Sequence, residues 1–210
     1  MGGRVILNGG AILQAVVSGE IEIDPFSEDQ LNSDSYDLRL GVEVLTYDFS
    51  ELPYDVREEP RTKHEIISPY GYVIRPGVGY LMSTRERVKT NTFVPVLDGK
   101  SSVARLFVSI HQCAGFGDRG FDGQFTLEVT TIYPIRLYAG MRIGQMRFHV
   151  SSGPDTKLYD GNYKGDGARG PVASRTWKQI ARDEKRKTEE VCGVCARPYL
   201  TCDCMGAGGR

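Results

Sequence analysis

Seven consecutive residues, Gly99-Lys100-Ser101-Ser102-Val103-Ala104-Arg105, combine two hydroxyls, two cations and a glycine that lets backbone come close to a ligand. That mixture suits an anion better than an apolar core. Lys100 and Arg105 supply charge, and Ser101 and Ser102 supply hydroxyl and amide donors. A short helical turn over 102–105 would add free N–H groups. An ordinary turn with solvated cations has the same composition, so the segment alone leaves both readings open. About two dozen residues later, Phe125-Thr126-Leu127-Glu128-Val129 sets one carboxylate in the middle of an apolar strand. Alternation puts Phe125, Leu127 and Val129 on one face and Thr126, Glu128 and Thr130 on the other. Glu128 then either faces solvent or acts as a general base. Between the two segments, residues 114–123 form a glycine-rich loop with Asp118 and Asp122. It is either a structural turn or a wrap for a sugar, with Asp118 on the ribose.

The elements that must hold these residues are mostly strands. Twenty-five glycines and ten prolines divide the 210 residues into short apolar runs, the pattern of an all-β protein with many turns. Strands are expected at 21–24, 35–40, 42–47, 66–67, 72–74, 80–83, 93–97, 106–111, 124–130, 135–137 and 143–150. So many short strands predict a barrel or jelly roll. Ile12, Leu13, Val16 and Val17 recur at helical spacing before Gly19, which predicts a short helix over 11–18. After Ser174 the composition becomes charged, and 175–190 reads as an exposed helix. The division expected is a domain over 1–175 and a charged helix with a cysteine-rich tail over 176–210.

Charge balance narrows the function. With 26 basic and 27 acidic side chains the net charge is −1, so no basic excess points to nucleic acid. No apolar run is long enough for a membrane span and the N-terminus lacks a signal-peptide pattern, so a cytoplasmic protein is expected. Cys113 stands alone in the main body, and no disulfide framework is expected there.

Taken in order, several segments resemble the deoxycytidine triphosphate deaminase family, whose fold is that of the trimeric dUTPases. The opening, Ile21-Glu22-Ile23-Asp24-Pro25-Phe26 with Ser35-Tyr36-Asp37-Leu38-Arg39-Leu40-Gly41, is similar to that of the family. Gly99 to Arg105 resembles its Gly-Arg-Ser-Ser-x-x-Arg signature, and Gly120 to Glu128 resembles its catalytic strand. Ile135 to Leu137 with Ala139-Gly140-Met141-Arg142-Ile143-Gly144-Gln145 is similar to the hairpin that follows. Tyr163-Lys164-Gly165 and Arg169-Gly170-Pro171-Val172-Ala173-Ser174-Arg175 resemble its phosphate-covering segment. The likeness spans roughly residues 5–175.

The resemblance implies a distorted jelly roll, mainly β, with a short N-terminal helix and a helical C-terminal extension. It implies hydrolytic deamination of dCTP without zinc, with Glu128 as proton shuttle. Ser101 and Arg105 would position water and base, and the carbonyl of Ala114 would hold the amino group. Lys100, Ser101, Ser102, Tyr163, Lys164 and Arg169 would meet the triphosphate, with Asp118 near the sugar. Mg²⁺ would accompany the triphosphate, and homotrimers would form sites between subunits. Zinc deaminases need His-x-Glu and Pro-Cys-x-x-Cys. None of His64, His111 and His149 has Glu two positions on, and Cys192-x-x-Cys195 follows Val191, so that class is disfavoured.

Three departures stand out: Lys100 where the family has Arg, Asp166-Gly167-Ala168 in the phosphate-covering stretch, and Thr130-Thr131 after the catalytic strand. In the tail, Cys192, Cys195, Cys202 and Cys204 are four thiolates within 13 residues, either a Zn²⁺ ligand set or a reduced tail. The leading expectation is dUTP and ammonia as products. Its alternatives are a bifunctional enzyme giving dUMP and pyrophosphate, and a non-catalytic nucleotide-binding trimer.

Overall fold

The computed structural model describes residues 5–48, 50, 53–154, 156–163 and 169–189. The chain divides into two units, one of residues 1–49 with 61–173 and one of 50–60 with 174–210. The first carries the sheet. Its elements in order are α1 (Gly9–Val17), β1 (Ile21–Asp24), a 3-10 turn (Glu28–Gln30), β2 (Tyr36–Tyr47), β3 (Thr62–Ile66), β4 (Tyr72–Ile74), β5 (Tyr80–Thr90) and β6 (Phe93–Gly99). There follow α2 (Ser101–Ala104), β7 (Val108–Ser109), β8 (Asp122–Thr131), β9 (Ile135–Leu137) and β10 (Arg142–Val150). In the second unit lies α3 (Thr176–Glu189), and Arg57 pairs with Asp55 at 2.5 Å.

The main sheet runs β6-β10-β2-β5-β8-β7, with β1 added to β5 and β3 to β2; β4 and β9 form a separate pair. One edge of β5 is shared lengthwise. Residues 80–84 pair with β2 and 87–90 with β1, while β8 takes the other edge. The outer edge of β6 is covered by the loop between β7 and β8. Leu97 N–H donates to the Gly115 carbonyl at 2.6 Å, and Gly117 N–H to the Pro95 carbonyl at 2.8 Å. The sheet thereby nearly closes on itself. Gly115 is required at this seam, because a Cβ there would lie 2.4 Å from the Leu97 carbonyl oxygen.

Alternation decides which faces turn inward. Leu38 and Leu40 on β2, Met82 and Val88 on β5, Leu127 and Val129 on β8, and Ile143, Met146 and Phe148 on β10 form one buried cluster. Ile12 and Ala15 of α1 join it. A mainly β, barrel-like fold with a short N-terminal helix is therefore what the chain adopts. Asn8 caps α1 by accepting the Ala11 N–H at 2.9 Å.

Several element boundaries differ from expectation for local reasons. Segments 35–40 and 42–47 fall in one strand, β2, which runs through an irregularity in its pairing with β5 between Leu40 and Val44; Gly41 lets Ser83 come close there, since a Cβ would lie 2.7 Å from Ser83 Oγ. The strand expected at 66–67 lies at 62–66, and 80–83 extends to Thr90 once β1 and β8 supply partners. Only 108–109 of the expected strand 106–111 is extended; Phe107 has φ of 57° directly after α2 and breaks the run. The helix expected at 175–190 is α3.

Candidate active site

Glu128 sits in the middle of β8, flanked on its core-facing side by fully buried Leu127 and Val129. Those two residues fix the register, so Glu128 must face away from the core, beside Gln124, Thr126 and Thr130. Its backbone N–H donates to the Ile110 carbonyl at 2.9 Å. Its side chain accepts the Gln112 backbone N–H on Oε2 at 2.9 Å. No partner is found for Oε1 among the described residues, so that oxygen is available for proton transfer.

The cradle is the end of β6 and one turn of helix. Lys100 is the N-cap of α2; its carbonyl accepts N–H groups from Val103 and Ala104, each at 2.9 Å. Val103 is buried and pins the turn. Ser101, Ser102 and Arg105 are exposed, and their side chains have no partner among the described residues. Two hydroxyls and a guanidinium therefore stand ready for an anion.

Lys100 is placed differently from the other three. Its Nζ lies 2.6 Å from Oδ2 of Asp37, whose side chain is fully buried on β2. Asp37 also accepts from Asn32 Nδ2 at 2.9 Å and from Arg142 at 3.4 Å. Arg142 in turn reaches Asp29 at 2.5 Å. The Ser27 hydroxyl and Arg142 hold the Asp29 carboxyl below its ordinary range. Behind the cradle, then, a buried carboxylate ties β2, β6 and β10 together. Next to it Tyr36 is fully buried, and burial pushes its phenol up to about 12. Arg39 pairs with fully buried Glu86 at 2.6 Å.

The chain after Gly117 folds back upon itself. Asp118 is exposed, and its carbonyl accepts the Phe121 N–H at 3.3 Å. Phe121 packs against Phe125, with ring centroids 4.8 Å apart, and against Tyr159 at 6.0 Å. Tyr163 N–H donates to the Tyr159 hydroxyl at 3.1 Å. Residues 170–172 lie along β8: Gly170 N–H donates to Gln124 Oε1 at 2.5 Å and Val172 N–H to Thr126 Oγ1 at 3.0 Å. Each two-residue step of this strap matches one on β8, in the direction of Glu128. Gly170 has φ of 83°, a backbone conformation that favours glycine, and a Cβ there would lie 2.7 Å from Glu43 Oε2, so that side chain would have to move.

Within one chain the predicted residues fall into two groups. Glu128 and the loop of Ala114 are joined through Gln112, and that loop is bonded to β6. Ser101, Ser102 and Arg105 form the second group, with no hydrogen bond to Glu128. A cleft of about 630 Å³ runs between α2, β7 and the end of β8, lined by Gly99, Ala104, Phe107, His111 and Thr130 among others. Arg169 is exposed at the start of the strap. Lys164, residues 166–168 and the four tail cysteines lie outside the described residues.

Asp37, Arg142 and Gln112 were not singled out by sequence reasoning. Asp37 belongs to the family-like opening segment, but only the fold reveals its ion pairs with Lys100 and Arg142. Among the described residues no three His, Cys, Asp or Glu side chains converge on a metal position. The cradle's hydroxyls and cations fit a phosphate rather than a metal. A hard cation accompanying a triphosphate takes its oxygens from phosphate and water, which is compatible with this donor set.

The sequence profile of dCTP deaminase-like proteins matches residues 6–151. The chain belongs to the dCTP deaminase-like family. It is 42% identical over 160 residues to the "dCTP deaminase, dUMP-forming" of Clostridium acetobutylicum, covering 76% of this chain and 91% of that one. The enzyme of the same name from Leptospira biflexa is 39% identical over 160 residues, covering 76% and 90%. The crystal structure of 2'-deoxycytidine 5'-triphosphate deaminase from Agrobacterium tumefaciens matches with a TM-score of 0.56 and 24% identity. That match covers 70% of this chain and 48% of the Agrobacterium protein, so the chain spans about half its length. The likeness carries the fold. In this dCTP deaminase-like chain the strap over β8 and α3 lie beyond the stretch that the family profile matches.

Proposed function

We propose that this chain converts dCTP to dUMP, pyrophosphate and ammonia, by deamination followed by hydrolysis of the triphosphate. The observation that carries the deaminase reading is Glu128. Its carboxylate is held on one oxygen by a backbone N–H and open on the other, on the strand face along which the strap runs. The sequence alone put dUTP first as product. The dUMP-forming activity named for relatives about 40% identical favours dUMP instead.

In the first step Glu128 takes a proton from a water whose oxygen bonds to C4 of cytosine. The proton passes to the ring nitrogen; Glu128 then carries the proton of the new C4 hydroxyl to the amino group, so that the C4–N bond breaks, ammonia leaves and the C4 carbonyl forms. Ser101 and Arg105 orient the water and base, and the Ala114 carbonyl accepts from the amino group. Asp118 serves the sugar. Ser101, Ser102, Tyr163, Lys164 and Arg169 serve the phosphates, joined by the N–H donors that Lys100 keeps beyond its bond to Asp37. Mg²⁺ screens the triphosphate when bound with it. A second water then splits the α–β phosphate link.

Self-association as a homotrimer completes the site by bringing one chain's cradle to another's Glu128. Two observations support this. The two groups are unbonded within a chain, and Phe107 and Tyr133 form an exposed aromatic pair beside Ile132. A cytoplasmic setting without nucleic-acid partners fits the balanced charge, and no helix among the described residues is long and apolar enough to cross a membrane. For Cys192, Cys195, Cys202 and Cys204 the sequence supports either a Zn²⁺ ligand set or a reduced tail.

The test is purified protein with Mg²⁺ and dCTP, assayed for ammonia and resolved by nucleotide chromatography. Ammonia with dUMP and pyrophosphate is expected, and Glu128→Gln should reduce ammonia release by about 10²–10⁴-fold. Ammonia with dUTP accumulating would select the deaminase-only alternative. Bound nucleotide without ammonia would overturn the enzyme reading.

A further inference from the structure

We propose that Gln112 is a positioning residue for Glu128, with Thr130 as its anchor; this rests on the deaminase reading of the site. The β7–β8 ladder stops early. Val108 pairs with Thr131 and Ser109 with Thr130, and Glu128 N–H still reaches the Ile110 carbonyl. Beyond Ile110 the chain peels away. Ser109 Oγ donates to the His111 carbonyl at 2.7 Å and sets that bend. The Gln112 N–H, freed from the ladder, donates to Glu128 Oε2 instead.

The Gln112 side chain then returns to the same strand. Its Nε2 donates to Thr130 Oγ1 at 3.0 Å and approaches the Glu128 carbonyl at 3.4 Å. One residue therefore grips β8 at two points, above and at the carboxylate. Rotation of a glutamate carboxylate about its last torsion is broad and nearly two-fold. A fixed N–H on one oxygen removes that freedom and aims the other oxygen. Gln112 is exposed and is not among the residues packed on the core, so its side-chain clamp joins the Ser109 bend in fixing that N–H. Two residues further on lies Ala114, so the same clamp sets the carbonyl assigned to the substrate amino group.

A small misplacement of a general base costs up to about a hundredfold in rate. Gln112→Ala keeps the backbone N–H but loses the clamp, and is expected to lower kcat for ammonia release about tenfold with KM for dCTP within about twofold. Thr130→Val should lower kcat in the same sense, and Thr130→Ser, which restores the hydroxyl, should return it toward wild type. The double variant should lose no more than Gln112→Ala alone, as members of one clamp do. Melting temperatures of all variants are recorded, so that Thr130→Val carries the test if Gln112→Ala folds poorly. Additive losses, an unchanged kcat, or equal losses in Thr130→Val and Thr130→Ser would overturn the proposal. An active wild type with unaffected variants removes only Gln112's role, whereas a wild type that releases no ammonia removes the deaminase reading with it.

Discussion

Replacing Asp37 by Asn tests whether the proposed phosphate cradle is anchored from behind. The Asp37 side chain is fully buried, and Lys100, 27% exposed, lies 2.6 Å from it. Removing one member of a buried pair costs about 3–5 kcal/mol when the remaining charge is trapped. Lys100 keeps partial access to water, which moves the expectation to about 2–3 kcal/mol. The assay is urea unfolding at pH 7 and one fixed protein concentration, since association would add to apparent stability. The midpoint should fall with little change in slope. Asp37→Asn with Lys100→Met removes the orphaned ammonium while keeping its apolar stem, and should recover about half of the loss. A coupling of about 1–2 kcal/mol in the full cycle is expected for residues in contact. Strict additivity, or a loss under about 0.5 kcal/mol for Asp37→Asn, would refute the anchoring argument.

Two further outcomes test the assembly and the surface charges. Co-expressing Glu128→Gln with Arg105→Ala, each inactive alone, should restore about one quarter of wild-type ammonia release, because one in four shared sites then pairs an intact carboxylate with an intact cradle; mixed protein as inactive as its parents would place the site within one chain. Lys89 and Arg87 hold the Glu22 carboxyl below its ordinary range, so the stability it contributes is present above the unfolded carboxyl's range and is lost as pH falls through the lowered folded value. Glu22→Gln should therefore cost about 0.5 kcal/mol at pH 7, as exposed pairs do, and almost nothing at pH 2, read by thermal unfolding at both; an equal loss at the two pH values would contradict this.

Much of the sheet could be read from period-two alternation, because burying one face constrains every second residue. That is why Leu127 and Val129 could be assigned to one face and Glu128 to the other, and the first is the face that is buried. The expected strand at 106–111 failed because a chain with strand-like composition turns at Phe107 only in response to α2 before it and β8 beside it. The expected split of segments 35–40 and 42–47 failed for a related reason. A glycine reads locally as a break, but here it lies at an irregularity inside the continuous β2, where the missing Cβ lets Ser83 come close.

The residue types of the cradle, the position of Glu128 and the mainly β class follow from the sequence by itself. They depend on composition and local periodicity, which are properties of neighbours along the chain. The tertiary structure decided what those residues touch. Lys100 meets Asp37 across 63 positions, and Gln112 meets Glu128 across 16. The strap finds Gln124 and Thr126 across 46. Such pairs form only when the core has fixed the strands' register, and a buried ion pair leaves no periodic trace in the sequence that produces it. Composition could thus single out the Gly99–Arg105 segment, as an anion cradle or an ordinary turn, while the buried Asp37 carboxylate behind it became visible only in the fold.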